Sequence, residues 1–418
     1  MRNQLPIMNL SKAGKILGLA FGLSLLSFFS DAQNVWVKKT APSTPFTARN
    51  ACSGFAIGTK GYFGLGGDAA GPRVDWYSYD PSLDTWTAKA AFAGGARQAA
   101  VSFSIGTKGY VGLGDNATGA LSDFWEYDSA TDTWTKKADY PGGKRTTAIG
   151  FSIGTKGYVG CGDSVPGLTK TFYEYDPATN TWTRKADFGG TGRSDASAFS
   201  IGAKGYVVGG DDGTVPFKKD FWEYDPALNT WTQKADFTGG PRTTATGFAL
   251  NGLGYFGSGD DGANLHNDMW AWDPVGNAWS AIAAFPGTKR SDMTVVIIGS
   301  KAYAGNGNQC GASCYINDWY EYTPGALGIF DYSKDLVKIS LFPNLIRDNV
   351  TINYENLNGA NAKFLVFDAL GKNVASYNLS NSTHLMTLDL SYLANGLYYY
   401  KVFSNEALSS GGKFVVAK

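Results

Sequence analysis

"FYEYDPATNTWTRKADF", Phe172 to Phe188, is the stretch on which the reading of this chain turns. Near copies run from Phe124 to Tyr140, "FWEYDSATDTWTKKADY", and from Phe221 to Phe237, "FWEYDPALNTWTQKADF". On either side of its centre, aromatic and polar side chains alternate, as they do in half-buried strands. The centre, "DPATN", places Asp first and Pro second, which suits a type I turn. Four residues after that Asp comes Asp84, Asp132, Asn180, Asn229 or Asn277. Asp and Asn tolerate the left-handed conformation that closes such a loop. The phrase predicts a β-hairpin with its turn chemistry written in.

Working outward, the phrase belongs to a longer period. Trp36, Trp86, Trp134, Trp182, Trp231 and Trp279 are 50, 48, 48, 49 and 48 residues apart. An arginine recurs as Arg49, Arg97, Arg145, Arg193, Arg242 and Arg290, and 13 residues after each stands a tyrosine, from Tyr62 to Tyr303. A period near 48 residues points to a propeller or a similar array. Each unit holds four strand candidates, in the third copy "TTAIGFSIG" (a), "KGYVGCG" (b), "TFYEYD" (c) and "TWTRKAD" (d). Composition agrees with an all-β chain rich in tight turns: 418 residues with 54 Gly, 12 Trp and 23 Tyr.

These pieces together resemble kelch repeats, over roughly residues 34–323. The resemblance implies a β-propeller with one four-stranded blade per repeat. The sixth unit breaks off after "DWYEY", Asp318 to Tyr322, without a closing Trp. "VWVKK", Val35 to Lys39, is similar to the missing d strand. The expectation is six blades, the last completed by the N-terminal strand, which removes free sheet edges. The propeller is assigned to residues 33–323. Before it, Arg2, Lys12 and Lys15 precede an apolar run of 14 residues, Ile16 to Phe29, and then "SDA". Residues 1–32 are read as a secretory signal peptide.

From about Lys338 the period is gone. "LFPN", "FLVFDALGKNV", "LDLSYLANGLYYYKV" and "GGKFVVAK" read as short strands of a small Ig-like β-sandwich, residues 338–418, after a linker at 324–337. They look like the type A sorting domain of the type IX secretion system, although Leu345 stands where its first motif has a second proline. The resemblance implies a bacterial protein that engages the type IX machinery and reaches the medium or the outer-membrane surface.

What the chain does is less legible. Lysine plus arginine equal aspartate plus glutamate, 36 each, so charge gives no argument for a nucleic acid or an anionic membrane. No transmembrane segment is expected in the mature chain. The only histidines are His266 and His384, and His384 lies in the C-terminal segment. That excludes a copper centre like that of galactose oxidase, the common zinc sites and a Ser/His/Asp triad. Asp211 and Asp260 each begin or sit in "DDG" without the alternating oxygen ligands of a calcium loop, so no metal or cofactor is expected. Cys310 and Cys314 bracket "GAS" as a candidate local disulfide, whereas Cys52 and Cys161 read as small buried residues.

In an up-and-down blade the b–c loops share one face with the d–a connections. The c–d turns are near copies, but the b–c loops all differ: "DAAGPRV", "DNATGALS", "DSVPGLTK", "DDGTVPFKK", "DDGANLHN" and "NQCGASCYIN". Function is expected where the repeat is broken. That face also carries the six arginines. Arg49, Arg97, Arg145 and Arg242 are read as a structural ring, with Asp68, Asp115, Asp163, Asp211, Asp260 and Asn308 standing opposite as partners. Two residues beyond each arginine the series reads Ala51, Ala99, Thr147, Asp195, Thr244 and Asp292. Asp195 and Asp292, with Arg193, Arg290, His266, Lys218, Lys219 and Tyr315, make the candidate ligand-binding set. The expected function is binding of a glycan or a protein. The alternatives are a sugar-processing enzyme resembling kelch-type sialic acid mutarotases and a structural surface or adhesion component.

Overall fold

The computed structural model describes residues 34–418 except 44, 165–166, 311–313, 326–337, 343–344, 356–361, 369–371, 380–384 and 405–406. The expected leader, 1–32, and most of the expected linker, 324–337, lie outside the described residues.

Each copy of the repeat folds as a four-stranded antiparallel meander. In the third, Ile149–Ile153, Lys156–Gly160, Phe172–Asp176 and Thr181–Arg184 lie side by side in chain order. Among the described residues six such sheets form. The sixth consists of Thr294–Ile298, Lys301–Gly305, Trp319–Thr323 and, at its outer edge, Val35–Lys39. There Trp36 sits opposite Tyr322, as Trp182 sits opposite Tyr175 in the third sheet. The innermost strands pack against one another in a closed circuit, with Ser53–Ile57 contacting both Val101–Ile105 and Thr294–Ile298.

Side chains fill the spaces between neighbouring blades. The rings of Phe55, Phe103 and Phe151 each lie over a glycine of the next blade. A Cβ at Gly109, Gly157 or Gly205 would come within 2.0, 2.5 or 2.2 Å of those rings, so the "KGY" step cannot carry a side chain at its glycine.

The quoted phrase fastens one blade to the next. Asn180 closes its hairpin at φ 53°, and the equivalent Asp84, Asp132, Asn229 and Asn277 lie between 46° and 55°. Its Oδ1 accepts Tyr175 Oη–H (2.9 Å) and the N–H of Ala138 in the preceding blade (3.0 Å). Trp182 Nε1–H donates to the carbonyl of that same Ala138 at 2.9 Å. The latch recurs with Asn229 and Trp231 on Ala186, and with Asn277 and Trp279 on Ala235. In the sixth blade its two halves come from opposite ends of the chain. Tyr322 donates to Asn34 Oδ1 at 2.8 Å, and Trp36 Nε1–H donates to Ala283.

The C-terminal part forms a three-stranded sheet (Lys338–Phe342, Asn349–Glu355, Leu385–Asp389) and a five-stranded one. The latter holds Leu345–Ile346, Ala362–Phe367, Asn373–Leu379, Gly396–Ser404 and Ala407–Val416. Both sheets feed one core, in which Val350 and Ile352 of the first meet Phe364 and Val402 of the second. Among the described residues no helix is long and apolar enough to cross a membrane.

Candidate functional site

The b–c loop face is built on the six arginines, each 0 to 3 % exposed. The backbone of each ties neighbouring blades together: Gly66, Gly114, Gly162, Gly210, Gly259 and Gly307 donate N–H to the carbonyls of Arg97, Arg145, Arg193, Arg242, Arg290 and Arg49, at 2.7 to 3.0 Å. The side chain braces its own blade. Arg97 bonds both oxygens of Asp123 (2.7 and 2.8 Å) and the carbonyl of Leu113 (3.0 Å), and its guanidinium lies 4.7 Å from the Phe92 ring centre. Arg49–Asp75, Arg193–Asp220 and Arg290–Asp318 repeat the fork, and Arg242 makes a single bond to Asp268 at 3.2 Å. Burial alone would raise the Asp123 and Asp220 carboxyls, but their arginines hold both below the ordinary carboxylate range.

This corrects the sequence reading twice. Arg193 and Arg290, placed in the ligand set, are 1 % and 0 % exposed and their forks are filled. They belong with Arg49, Arg97, Arg145 and Arg242. The carboxylates expected opposite the arginines have other partners. Asp68 bonds Arg73, Thr47 and the N–H of Ala70; Asp211 and Asp260 cap the N–H groups of Gly213 and Gly262. Asp115 takes Gln98 and Thr146, and Asp163 is exposed. The true partners stand immediately before strand c. A residue at positive φ ends strand b (Leu65, Leu113, Cys161, Asn306) and turns its carbonyl to the guanidinium. The acid from the start of strand c then completes the fork.

Inside the arginine layer a second ring lines the axis. Ala51, Ala99, Thr147, Asp195, Thr244 and Asp292 all lie at φ between 48° and 56°. Five backbone bonds run round it, each N–H donating to the carbonyl of the preceding blade's member, from Ala99 to Ala51 (3.0 Å) through Asp292 to Thr244 (2.9 Å). Two members carry carboxylates. Asp292 Oδ2 accepts Ser291 Oγ–H (2.9 Å) and Asn50 Nδ2–H (3.4 Å). Burial raises the Asp292 carboxyl. Burial first, and the Asp292 charge second, push Asp195 up to about 7, with Asp211 and Asp163 adding to the effect. Both side chains keep partial contact with solvent. Burial and the neighbouring acid thus let Asp195 hold a proton near neutrality.

The remaining residues surround this centre. His266 Nε2 lies 2.8 Å from Asp261 Oδ2, within its own loop and away from the acid pair's hydrogen bonds. Lys218 pairs with Asp212 (2.8 Å), and Lys219 reaches Asp236 only at 3.9 Å and stays exposed. Tyr315 bridges to Asn308 beside the Cys310–Cys314 disulfide. Two open clefts lie on this face. One, of about 600 Å³, is lined by Pro216, Lys219, Asp236, Phe237 and Pro241. The other, about 260 Å³, lies between Asp260, Leu265, Ser291 and Cys310. Among the described residues no group of three His, Cys, Asp or Glu is placed to hold a metal.

Comparison with known proteins adds two family matches and one fold. Residues 192–238 match the Kelch motif, and residues 340–417 match the Secretion system C-terminal sorting domain. The solved structure titled "Structure of YjhT" superposes with a TM-score of 0.57 at 20% identity, covering 68% of this chain and 97% of that one. At that identity it speaks to the fold, a kelch-type propeller. No curated protein matches the chain. The sorting domain makes this a type IX secretion product, released or held at the outer-membrane surface.

Proposed function

We propose that this exported propeller binds a glycan or a protein on its b–c loop face. The observation that carries the reading is a division of labour. Most repeated residues are consumed by structure, as arginine forks and Asn–Trp latches, whereas the loop residues that line the clefts, Pro216 and Lys219 in one and Gly262 to Leu265 in the other, and the Asp195–Asp292 pair lie where the repeat is broken. Carboxylates on the axis accept hydroxyl donors, and Lys219 in the adjoining loop, exposed and 3.9 Å from Asp236, adds positive charge for an anionic group.

A second reading is a sugar-processing enzyme of the sialic acid mutarotase kind. It is favoured by one feature: Asp195, near pH 7 beside Asp292, has the proton affinity of a general acid–base pair. A glycan array with the purified, secreted protein tests both. Retention of a defined sugar without turnover, followed by NMR of its anomeric protons, supports binding. Accelerated anomer exchange or product formation supports the enzyme. Retention of no glycan, together with failure to capture any surface protein, overturns both.

A further inference from the structure

In four blades a lysine at the start of strand b pairs with the aspartate that ends strand c. Lys60 lies 3.3 Å from Asp80, and Lys108 and Lys156 lie 2.5 Å from Asp128 and Asp176, with Lys204 paired to Asp225. In each pair Oδ2 takes the ammonium, and Oδ1 takes a backbone N–H of the c–d turn. The fifth blade keeps the acid, Asp273, and its turn bond from Val275 N–H (2.9 Å), but Leu253 stands where the lysine should be. The same blade has lost its other cation and anion. Ala271 and Ile282 occupy the positions of the Glu174–Lys185 pair of the third blade. Asp273 is nevertheless the most covered of the five, its side chain 12 % exposed against 18 to 29 % for the others. Its Oδ2 is taken at 2.9 Å by Lys401 Nζ, from strand Gly396–Ser404 of the C-terminal unit.

We propose that this edge of the fifth blade, on the c–d turn face, is the docking seat of the chain's own C-terminal sorting domain, with Lys401 replacing the lysine the blade lacks. The occupant is set by chemistry: Asp273 is a carboxylate whose blade has Leu253 in place of the pairing lysine, and the sorting domain presents a cation on a strand with Leu397 exposed on the same side. The seat lies on the face opposite the b–c loops, so a docked sorting domain leaves the ligand face clear during export.

Zero-length carbodiimide cross-linking of the full mature chain, read by peptide mass spectrometry at micromolar concentration, tests the seat. The expected product is an intramolecular amide between Lys401 and Asp273. Leu253→Lys supplies the local competitor that four other blades already tolerate, and should lower the yield about fivefold, the ratio a single exposed ion pair can supply. Asp273→Asn should abolish it. The proposal is overturned if Lys401 couples equally to Asp80, Asp128, Asp176 or Asp225, if Leu253→Lys leaves the yield unchanged, or if no coupling to Asp273 forms.

Discussion

Replacing Asn180 by alanine removes three things at once. The residue sits at φ 53°, where a Cβ without a compensating local bond costs about 1 kcal/mol. Tyr175, fully buried, loses the acceptor of its Oη–H, a loss of roughly 1 to 2 kcal/mol. The N–H of Ala138 loses its acceptor too, but it is exposed and finds water, so that loss is only about 0.5 kcal/mol. The sum is about 3 kcal/mol for Asn180→Ala. Asn229→Ala removes the same set one blade away, and the sites share no partner, so the double variant should lose about 6 kcal/mol. Asn180→Asp keeps the acceptor and the tolerance of positive φ, as Asp84 and Asp132 do naturally, and should stay within about 1 kcal/mol of the parent. Urea unfolding followed by tryptophan fluorescence measures all three. If the double alanine variant unfolds within 1 kcal/mol of the parent, the latch contributes nothing and the repeated phrase needs another explanation.

Deleting residues 34–40 bares the edge of Trp319–Thr323 and removes Trp36 from between Phe285 and Tyr322; a loss of about 3 kcal/mol or more and oligomers on gel filtration are expected. A chain ending at Tyr322 should fold yet remain periplasmic, and cell fractionation with an antibody to the propeller checks it. Asp195→Asn with Asp292→Asn should weaken ligand binding tenfold or more, about 1.4 kcal/mol, by titration calorimetry, with little change in melting temperature at pH 4, where the folded protein already holds the Asp195 proton. Because the folded pKa of Asp195 is raised, the unfolded chain releases this proton near pH 4 and the folded one near 7. Its contribution to stability therefore falls as pH rises from 4 to 7, and Asp195→Asn should flatten that decline in a pH series of thermal melts.

The blades were open to sequence reading because each rests on side chains that recur at fixed distances. The residues equivalent to Asn180, Trp182 and Gly157 recur in register through the first five blades, and repetition exposes them. The arginine partners were also written in register, 26 residues on at Asp75, Asp123 and Asp268. Loop length stretches that distance to 27 at Asp220 and 28 at Asp318, and Thr171 interrupts the series, which made the acids at the ends of strand b look the better match. Asp195 and Asp292 stood out as breaks in a series of small residues, and the ring does bring them into electrostatic reach. The outer loops had no such series behind them. Their clefts depend on where Pro216, Lys219 and Cys310 come to rest, which no single-residue pattern encodes.

The split latch of the sixth blade bears on how the molecule is made. Five latches join neighbours about 45 residues apart, so each can form soon after its hairpin has emerged. The bond between Tyr322 and Asn34 spans 288 residues. Closing a loop of that length costs about 3 kcal/mol more than closing one of 10 residues, since each doubling adds ~0.6 kcal/mol. Until the last aromatic strand arrives, Val35–Lys39 has no partner to pair with, and five finished blades form an open arc with a free edge at each end. Completion of the ring is thus the final and least local step of folding. A chain cut short before Trp319 would carry two adhesive edges, which makes faithful synthesis to the sixth blade a condition for remaining monomeric.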